Sequence, residues 1–223
     1  MRVAQPKIGE MVRPAPAERT RDRDRTRAEI LDVATQHFAE HGYSGARVDE
    51  IAEQTRTTKR MLYYYFGGKK QLYIAVLEGA YARIRTAEQA ANVDHVDPVE
   101  AIRRLAEITF DHHEAHPDFI RLVSIENVHH GEHIAQLPSL VSLNSPAIAL
   151  IDEILSRGRA QQRFRDDIDA IDVHMMISAF CVFRVANRYT FGSIFGRDLV
   201  APELRDHYRT MLGDMVVAHL TAR

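Results

Sequence analysis

The chain has 223 residues, 45% hydrophobic and 27% charged, which excludes a disordered chain and leaves room for one large domain or two small ones. Its net charge of −2 is unevenly spread: residues 1–70 carry 14 basic against 10 acidic side chains (net +4) and residues 71–223 carry 15 against 21 (net −6), so one end is suited to a polyanion. Cys181 is the single cysteine, which excludes an intrachain disulfide; with no apolar leader and no apolar run near the roughly 20 residues of a membrane span, a cytoplasmic protein is expected.

Residues 1–19 hold Pro6, Pro14 and Pro16 among few large apolar groups and read as a disordered tail. Arg19, Arg21, Arg23, Arg25 and Arg27 then alternate with Thr20, Asp22, Asp24 and Thr26. Such a run is either a solvated helical turn or an arm that tracks phosphates or enters a minor groove. From Thr26 the period is helical, with Ile30, Leu31, Ala34 and Phe38 on one face and a stop at His41-Gly42. A short second helix runs from about Val48 to Thr55, with Val48, Ile51 and Ala52 inward. Thr57 or Thr58 caps a third that ends near Phe66. A long fourth helix begins near Lys69, with Leu72, Val76, Leu77, Ala80, Tyr81 and Ile84 at helical spacing.

Proline punctuates the rest. Asp97-Pro98-Val99-Glu100 starts a helix that runs to about His116, and Pro117 breaks it or opens the next. Ser145-Pro146 predicts a start, with an end near Arg157 and Gly158 as the stop. Asp169 or a neighbour opens a long apolar helix to about Tyr189, and Pro202 starts the last one. No hairpin signal and no repeat interrupts this, so the expected fold is all-α.

The densest chemistry lies between Thr57 and Lys69, where two cations, two hydroxyls and Tyr63-Tyr64-Tyr65 share about two helical turns. Two short helices with a turn near Thr55-Arg56-Thr57, braced by a longer first helix, describe a helix-turn-helix. Its second short helix is expected in the major groove, held by Leu62 and Phe66 packing inward. Spacing alone is equally compatible with three helices of an ordinary bundle.

The residues decide between these readings through a resemblance. Ile30-Leu31, Ala34, Phe38-Ala39-Glu40-His41-Gly42-Tyr43, Val48-Asp49-Glu50-Ile51-Ala52 and Leu62-Tyr63-Tyr64-Tyr65-Phe66-Gly67-Gly68-Lys69 resemble the DNA-binding domain of TetR/AcrR-type transcriptional regulators over roughly residues 26–80. The resemblance implies a helix-turn-helix DNA-binding domain over 20–68, behind the tail of 1–19, and a larger helical ligand-binding and dimerisation domain over 69–223. It implies phosphate contacts from Arg47 and Val48. Thr58, Lys59, Arg60 and Met61 then stand where bases are read, Tyr63 and Tyr64 where phosphate or thymine methyl is met, and Lys69 where a lysine binds phosphate. Tyr65 stands where many members carry histidine. The chain departs from the family at the turn, where Thr55-Arg56-Thr57-Thr58 replaces the common Ala-Gly-Val-Ser, at Arg60, which replaces a small residue, and at Arg47, which replaces a hydroxyl residue.

For the second half the resemblance implies a homodimer through the last two long helices, about 169–191 and 202–221. It also implies a small-molecule effector that releases a palindromic double-stranded DNA operator. Arg184, Asn187 and Arg188 interrupt an apolar helix, so one of them is a candidate anchor for a carboxylate, against a salt bridge or dimer contact as the plainer reading. Glu126, Asn127, His130, Phe180 and Phe183 complete the candidate ligand residues. The segments His116–Arg121 and Phe183–Arg188 look similar to C-terminal domains of regulators of aromatic-acid breakdown, which favours such an acid as effector. The i,i+4 pairs His112/His116 and His129/His133 have a spacing that can hold a metal, so a metal-responsive regulator, or less plausibly a metal-dependent helical enzyme, is the alternative. Surface and pocket histidines are the plainer account; no enzyme activity, resident metal or cofactor is expected. Cys181, inside an apolar run, is expected to be a buried, inert thiol.

Overall fold

The computed structural model describes residues 16–222, and every described element is helical. Residues 1–15 of the expected tail lie outside the described residues, while residues 16–19 form the first turn of α1 (Pro16–Gly45). The first run of helix breaks at Gly42, as expected, with a kink rather than an end to α1. The chain swings there to φ 68, which costs a glycine little, and resumes for one more turn. Then follow α2 (Val48–Gln54), α3 (Lys59–Phe66), α4 (Lys69–Gln89), α5 (Pro98–Ala115), α6 (Pro117–Val128), α7 (Pro138–Ala160), α8 (Ala170–Ala186), α9 (Arg188–Phe195) and α10 (Arg205–Thr221), with 3-10 turns at Ile134–Gln136 and Pro202–Leu204.

Several starts follow local chemistry. The Asp97 carboxylate accepts from the Val99 and Glu100 amides ahead of Pro98, and Asp169 and Asp172 form a reciprocal capping box on α8. Others correct the sequence reading. Ser145-Pro146 does not open a helix, because Pro138 already occupies the first-turn position of α7 and Pro146 sits inside it. Gly158 does not end α7 either. A Cβ there would stand 2.0 Å from the Phe164 ring, so the glycine clears space for that ring. The apolar helix from Asp169 ends at Ala186 rather than near Tyr189. The backbone and side-chain amides of Asn187 both donate to the Phe183 carbonyl, and α9 leaves at 68° to α8. Pro202 opens a 3-10 turn, and α10 follows from Arg205.

Two apolar cores result. The first joins Ile30, Ala34, Phe38, Ile51, Leu62 and Phe66 to Leu72, Tyr73, Val76 and Leu77 of α4 and to Phe119, Ile120 and Leu122 of α6. Packing therefore runs across the boundary placed at residue 68. The second joins α5, α7, α8 and α10 through Ile102, Phe110, Ile154, Val173, Ile177, Leu212 and Val216. Each fully buried Leu, Ile or Phe contributes about 1.5–3 kcal/mol, so α4, which feeds the first core and packs on α5 and α7, is held at both ends. No single described helix is long and apolar enough to cross a membrane.

Candidate functional site

The first site is the face of α3. Leu62 (2% exposed) and Phe66 (8%) pin the helix to the first core. Lys59, Arg60, Met61, Tyr63 and Tyr64 are consequently exposed, and Tyr65 is half-buried against Phe66. Thr58 caps the helix, accepting from the Met61 amide at 3.3 Å. The turn that lacks the family's glycine is made by Arg56 at φ 50, a left-handed conformation that a side chain resists. Arginines of α1 join this face: Arg23 lies 5.8 Å from the Tyr64 ring centre and Arg27 5.2 Å from that of Phe66. The arginine run is thus part of a helix and not an extended arm.

Three of the cations here, Lys59, Arg47 and Lys69, are already partnered. Lys59 Nζ is 3.1 Å from Asp49 on α2, and Arg47 pairs with Glu50 at 3.2 Å. Lys69 donates to the Ser44 carbonyl at 3.3 Å and sits 5.0 Å from the Tyr43 ring centre, and partial burial lowers its pKa from the ordinary lysine value. Val48 opens α2 beside Arg47. It is 9% exposed and belongs to the first core.

The expected ligand residues do not converge. Glu126 is buried and fully engaged. It accepts from the Tyr73 hydroxyl at 2.9 Å and from the His133 and Ile134 amides at 3.2 Å, with His133 Nδ1 at 3.1 Å. That network ties the α6–α7 connection to α4, and Tyr43 of α1 packs on the His133 and Tyr73 rings. Burial, then Glu126, raises the Tyr73 pKa. Asn127 and His130 are exposed. Arg184 is 3% exposed but bonds to Glu114 at 2.6 Å and to the Leu199 carbonyl at 3.0 Å, and stacks 3.9 Å from the Phe110 ring centre. Arg188 pairs with Asp198, Asn187 caps α8, and Phe180 packs by Tyr208. Phe183 points outward at 51% exposure. Of the histidine pairs, His112 and His116 stay together, stacked at 4.2 Å, while the other separates: His133 serves Glu126 and His129 is exposed. Cys181 is buried, and burial pushes its thiol up to about 12.

What the sequence missed is a polar chamber inside the C-terminal bundle. Arg85 and Glu88 of α4 are 6% and 4% exposed. Arg85 NH1 lies 2.7 Å from Glu88 Oε2, but without hydrogen-bond alignment, and Arg85 Nε has no partner. Both ring nitrogens of buried His112 are also without partners. Burial, helped by neighbouring histidines and Arg85, pushes His112 down to about 3 and His113 to about 4. Burial and Arg85 lower His174. All three rings are therefore neutral at pH 7. Burial raises Glu88 to about 7 against the pull of Arg85. A cavity of about 320 Å3 opens on the pair, lined also by Asn92, Pro146, Leu150 and Glu153. Unpartnered buried polar atoms are uncommon in folded proteins; of those here, Arg85 and Glu88 line the cavity and the three histidines do not. A signal existed in the sequence: Glu88 continues the inward stripe Leu77, Tyr81, Ile84 one turn further.

Residues 30–76 match the family described as bacterial regulatory proteins, tetR family, and residues 98–216 match the tetracycline repressor-like C-terminal domain. The chain belongs to the TetR family. It is 34% identical over 202 residues to the HTH-type transcriptional repressor NicS of Pseudomonas putida, covering 91% of this chain and 95% of that protein. It is 37% identical over 118 residues to the HTH-type transcriptional repressor SCO4008 of Streptomyces coelicolor, 53% of this chain and 57% of that one. A TetR family transcription regulator from Marinobacter aquaeolei VT8 shares the fold with a TM-score of 0.70 at 21% identity, over 92% of this chain and 100% of the other. TetR-family proteins are regulators and not enzymes, and they bind DNA operators and small-molecule effectors, generally as dimers.

The TetR assignment gives the outer surface a meaning. Ile171, Met175, Ala179 and Phe183, four residues apart, form an exposed stripe along α8, and Tyr189, Ile194 and Phe195 of α9 and Met215 of α10 are exposed too. An apolar face of this extent is the kind that a second copy covers.

Proposed function

We propose that this TetR-family protein is a cytoplasmic repressor that binds a palindromic operator as a dimer and is released by a small aromatic acid. The DNA half of the reading rests on one observation: Lys59, Arg60, Met61, Tyr63 and Tyr64 are exposed together on a helix that Leu62 and Phe66 hold down. Lys59 and Arg60 read base edges, while Tyr63, Tyr64, Arg47 and Lys69 meet the backbone. The apolar stripe of α8 with α10 pairs two copies, so that the recognition helices meet half-sites about 34–36 Å apart.

Tyr64→Ala and Lys69→Ala are both expected to weaken operator binding, with different signatures. Lys69→Ala flattens the salt dependence by about 0.9 in the log–log slope, the share of one phosphate contact, whereas the uncharged Tyr64 leaves the slope unchanged. Gel shifts at several salt concentrations on the DNA beside its own gene measure both. Wild-type affinity in the two variants would sink the assignment.

The effector half rests on the unpartnered atoms of Arg85 and His112. A guanidinium binds a carboxylate through two parallel hydrogen bonds, and neutral histidines offer donors and acceptors to further ring substituents. Phe119, within 6.0 Å of the His112 and 5.5 Å of the His113 ring centre, is the aromatic neighbour of these histidines. The signal then travels along α4. Arg85 sits near one end and Lys69 at the other, about 24 Å away at 1.5 Å per residue. A shift at the chamber therefore tilts the helix that leads out of the recognition motif. A thermal-shift screen of hydroxybenzoates and pyridine carboxylates tests this. One acid should stabilise the wild type and dissociate its DNA, and do neither in Arg85→Met. An acid that acts equally on both proteins overturns the site.

A further inference from the structure

Where α1 faces the start of α2, three side chains have no part in DNA reading or in the chamber. His37 and His41 stand four residues apart on α1, and Glu50 reaches them from α2. Their ligand-type atoms all lie within 4.8 Å of one another, the one such set among the described residues. His37 is 5% exposed, Glu50 half-buried and His41 exposed, with the two imidazoles 4.5 Å apart edge to face.

The Nε2 atom of His37 is in conflict. It lies 3.3 Å from the Arg47 amide nitrogen, which requires it to accept, and 3.2 Å from Glu50 Oε2, which requires it to donate. One ring nitrogen cannot do both. As the acceptor it turns a lone pair into the space that the carboxylate also faces. Two electron-rich atoms aimed at one space, with a second imidazole beside them, are the chemistry of a cation site.

We propose that His37, His41 and Glu50 bind a divalent transition-metal cation, best matched by zinc, that staples α1 to α2. Two imidazoles and a carboxylate are a nitrogen and oxygen set that zinc accepts, with solvent completing the tetrahedron. Bonds of about 2.0–2.1 Å place tetrahedral donors about 3.4 Å apart. The His37–Glu50 gap of 3.2 Å already meets that, and exposed His41 is the side chain that swings to close the set. Glu50 is the third residue of α2, so its other oxygen can take over the Arg47 amide in capping-box fashion. The cation also neutralises the carboxylate that holds the Arg47 guanidinium at 3.2 Å, and turns that guanidinium toward solvent on the DNA-facing side.

The test is calorimetric titration of the chelator-treated, full-length protein with Zn2+. Wild type takes up one ion per chain, and His41→Ala and Glu50→Gln, substitutions at exposed and half-buried positions, each weaken uptake at least about tenfold. His129→Ala, in the exposed α6–α7 connection, binds as wild type. Zn2+ raises the thermal midpoint of wild type and of His129→Ala, but not of the two site variants. Absence of saturable binding, wild-type uptake by either site variant, or loss of binding in His129→Ala overturns the site.

Discussion

Glu88→Ala is expected to destabilise the protein by about 3–5 kcal/mol, whereas Arg85→Met combined with Glu88→Leu leaves it no less stable than the wild type. The single substitution strands a guanidinium that is 6% exposed and whose Nε already has no partner. The double substitution removes both charges and fills their volume with apolar groups that suit the surrounding bundle. Desolvation of two ions offsets most of their attraction across 2.7 Å, so the pair does not hold the fold together. Urea unfolding of the wild type, Glu88→Ala and the double variant measures this. Equal losses in Glu88→Ala and in the double variant would show that the strain lies elsewhere. The double variant also separates stability from signalling: it is expected to bind DNA and to stay bound when the effector is added.

Acid should unfold the C-terminal bundle earlier than its surface charges suggest. His112 and His113 have folded pKa values pushed down to about 3 and about 4, against 6.5 for the unfolded chain. The unfolded state therefore binds up to two more protons below pH 6.5, and stability falls as pH falls. Glu88 works in the opposite sense. Its folded value of about 7 lies above the unfolded 4.5, so it takes up its proton in the folded state first, and stability rises as pH falls through that window. Two histidines against one glutamate leave a net of about one proton between pH 6.5 and 4.5, or about 1.4 kcal/mol lost per pH unit. Below 4.5 Glu88 is protonated in both states and the loss steepens. Chemical denaturation at pH 7, 6 and 5 measures the slope, and His112→Leu should flatten it. A slope of zero with intact histidines would mean that water reaches these rings.

Much of this was legible in the chain because local chemistry and tertiary packing agree there. Thr58 caps α3 as a hydroxyl at that position should, and Leu62 and Phe66, four apart, are the residues that sink into the first core. The reading went astray where a residue serves a neighbour distant in sequence. Gly158 answers to the Phe164 ring and not to the end of its helix. Pro146 follows a serine, as at a helix start, yet the helix had begun eight residues before, at Pro138. Arg184 interrupts an apolar helix because Glu114, from another helix, is there to meet it. Arg85 drew no reading at all, since helical period alone does not say which neighbour closes over a polar position. The chamber became visible only once α5 and α8 brought His112, His113 and His174 toward α4.

The contact between Lys59 and Asp49 has a consequence for how this repressor would search a genome. At 54% and 53% side-chain exposure the pair contributes at most about 1 kcal/mol. A guanine edge offers a lysine about 1–3 kcal/mol, so only a well-placed base outcompetes the carboxylate. On random sequence the amine stays on the carboxylate of α2 and adds nothing to residence time. Asp49 thus works as a threshold: it withholds a charge that would otherwise make every stretch of duplex slightly adhesive, and leaves sliding fast until the right base is beneath it.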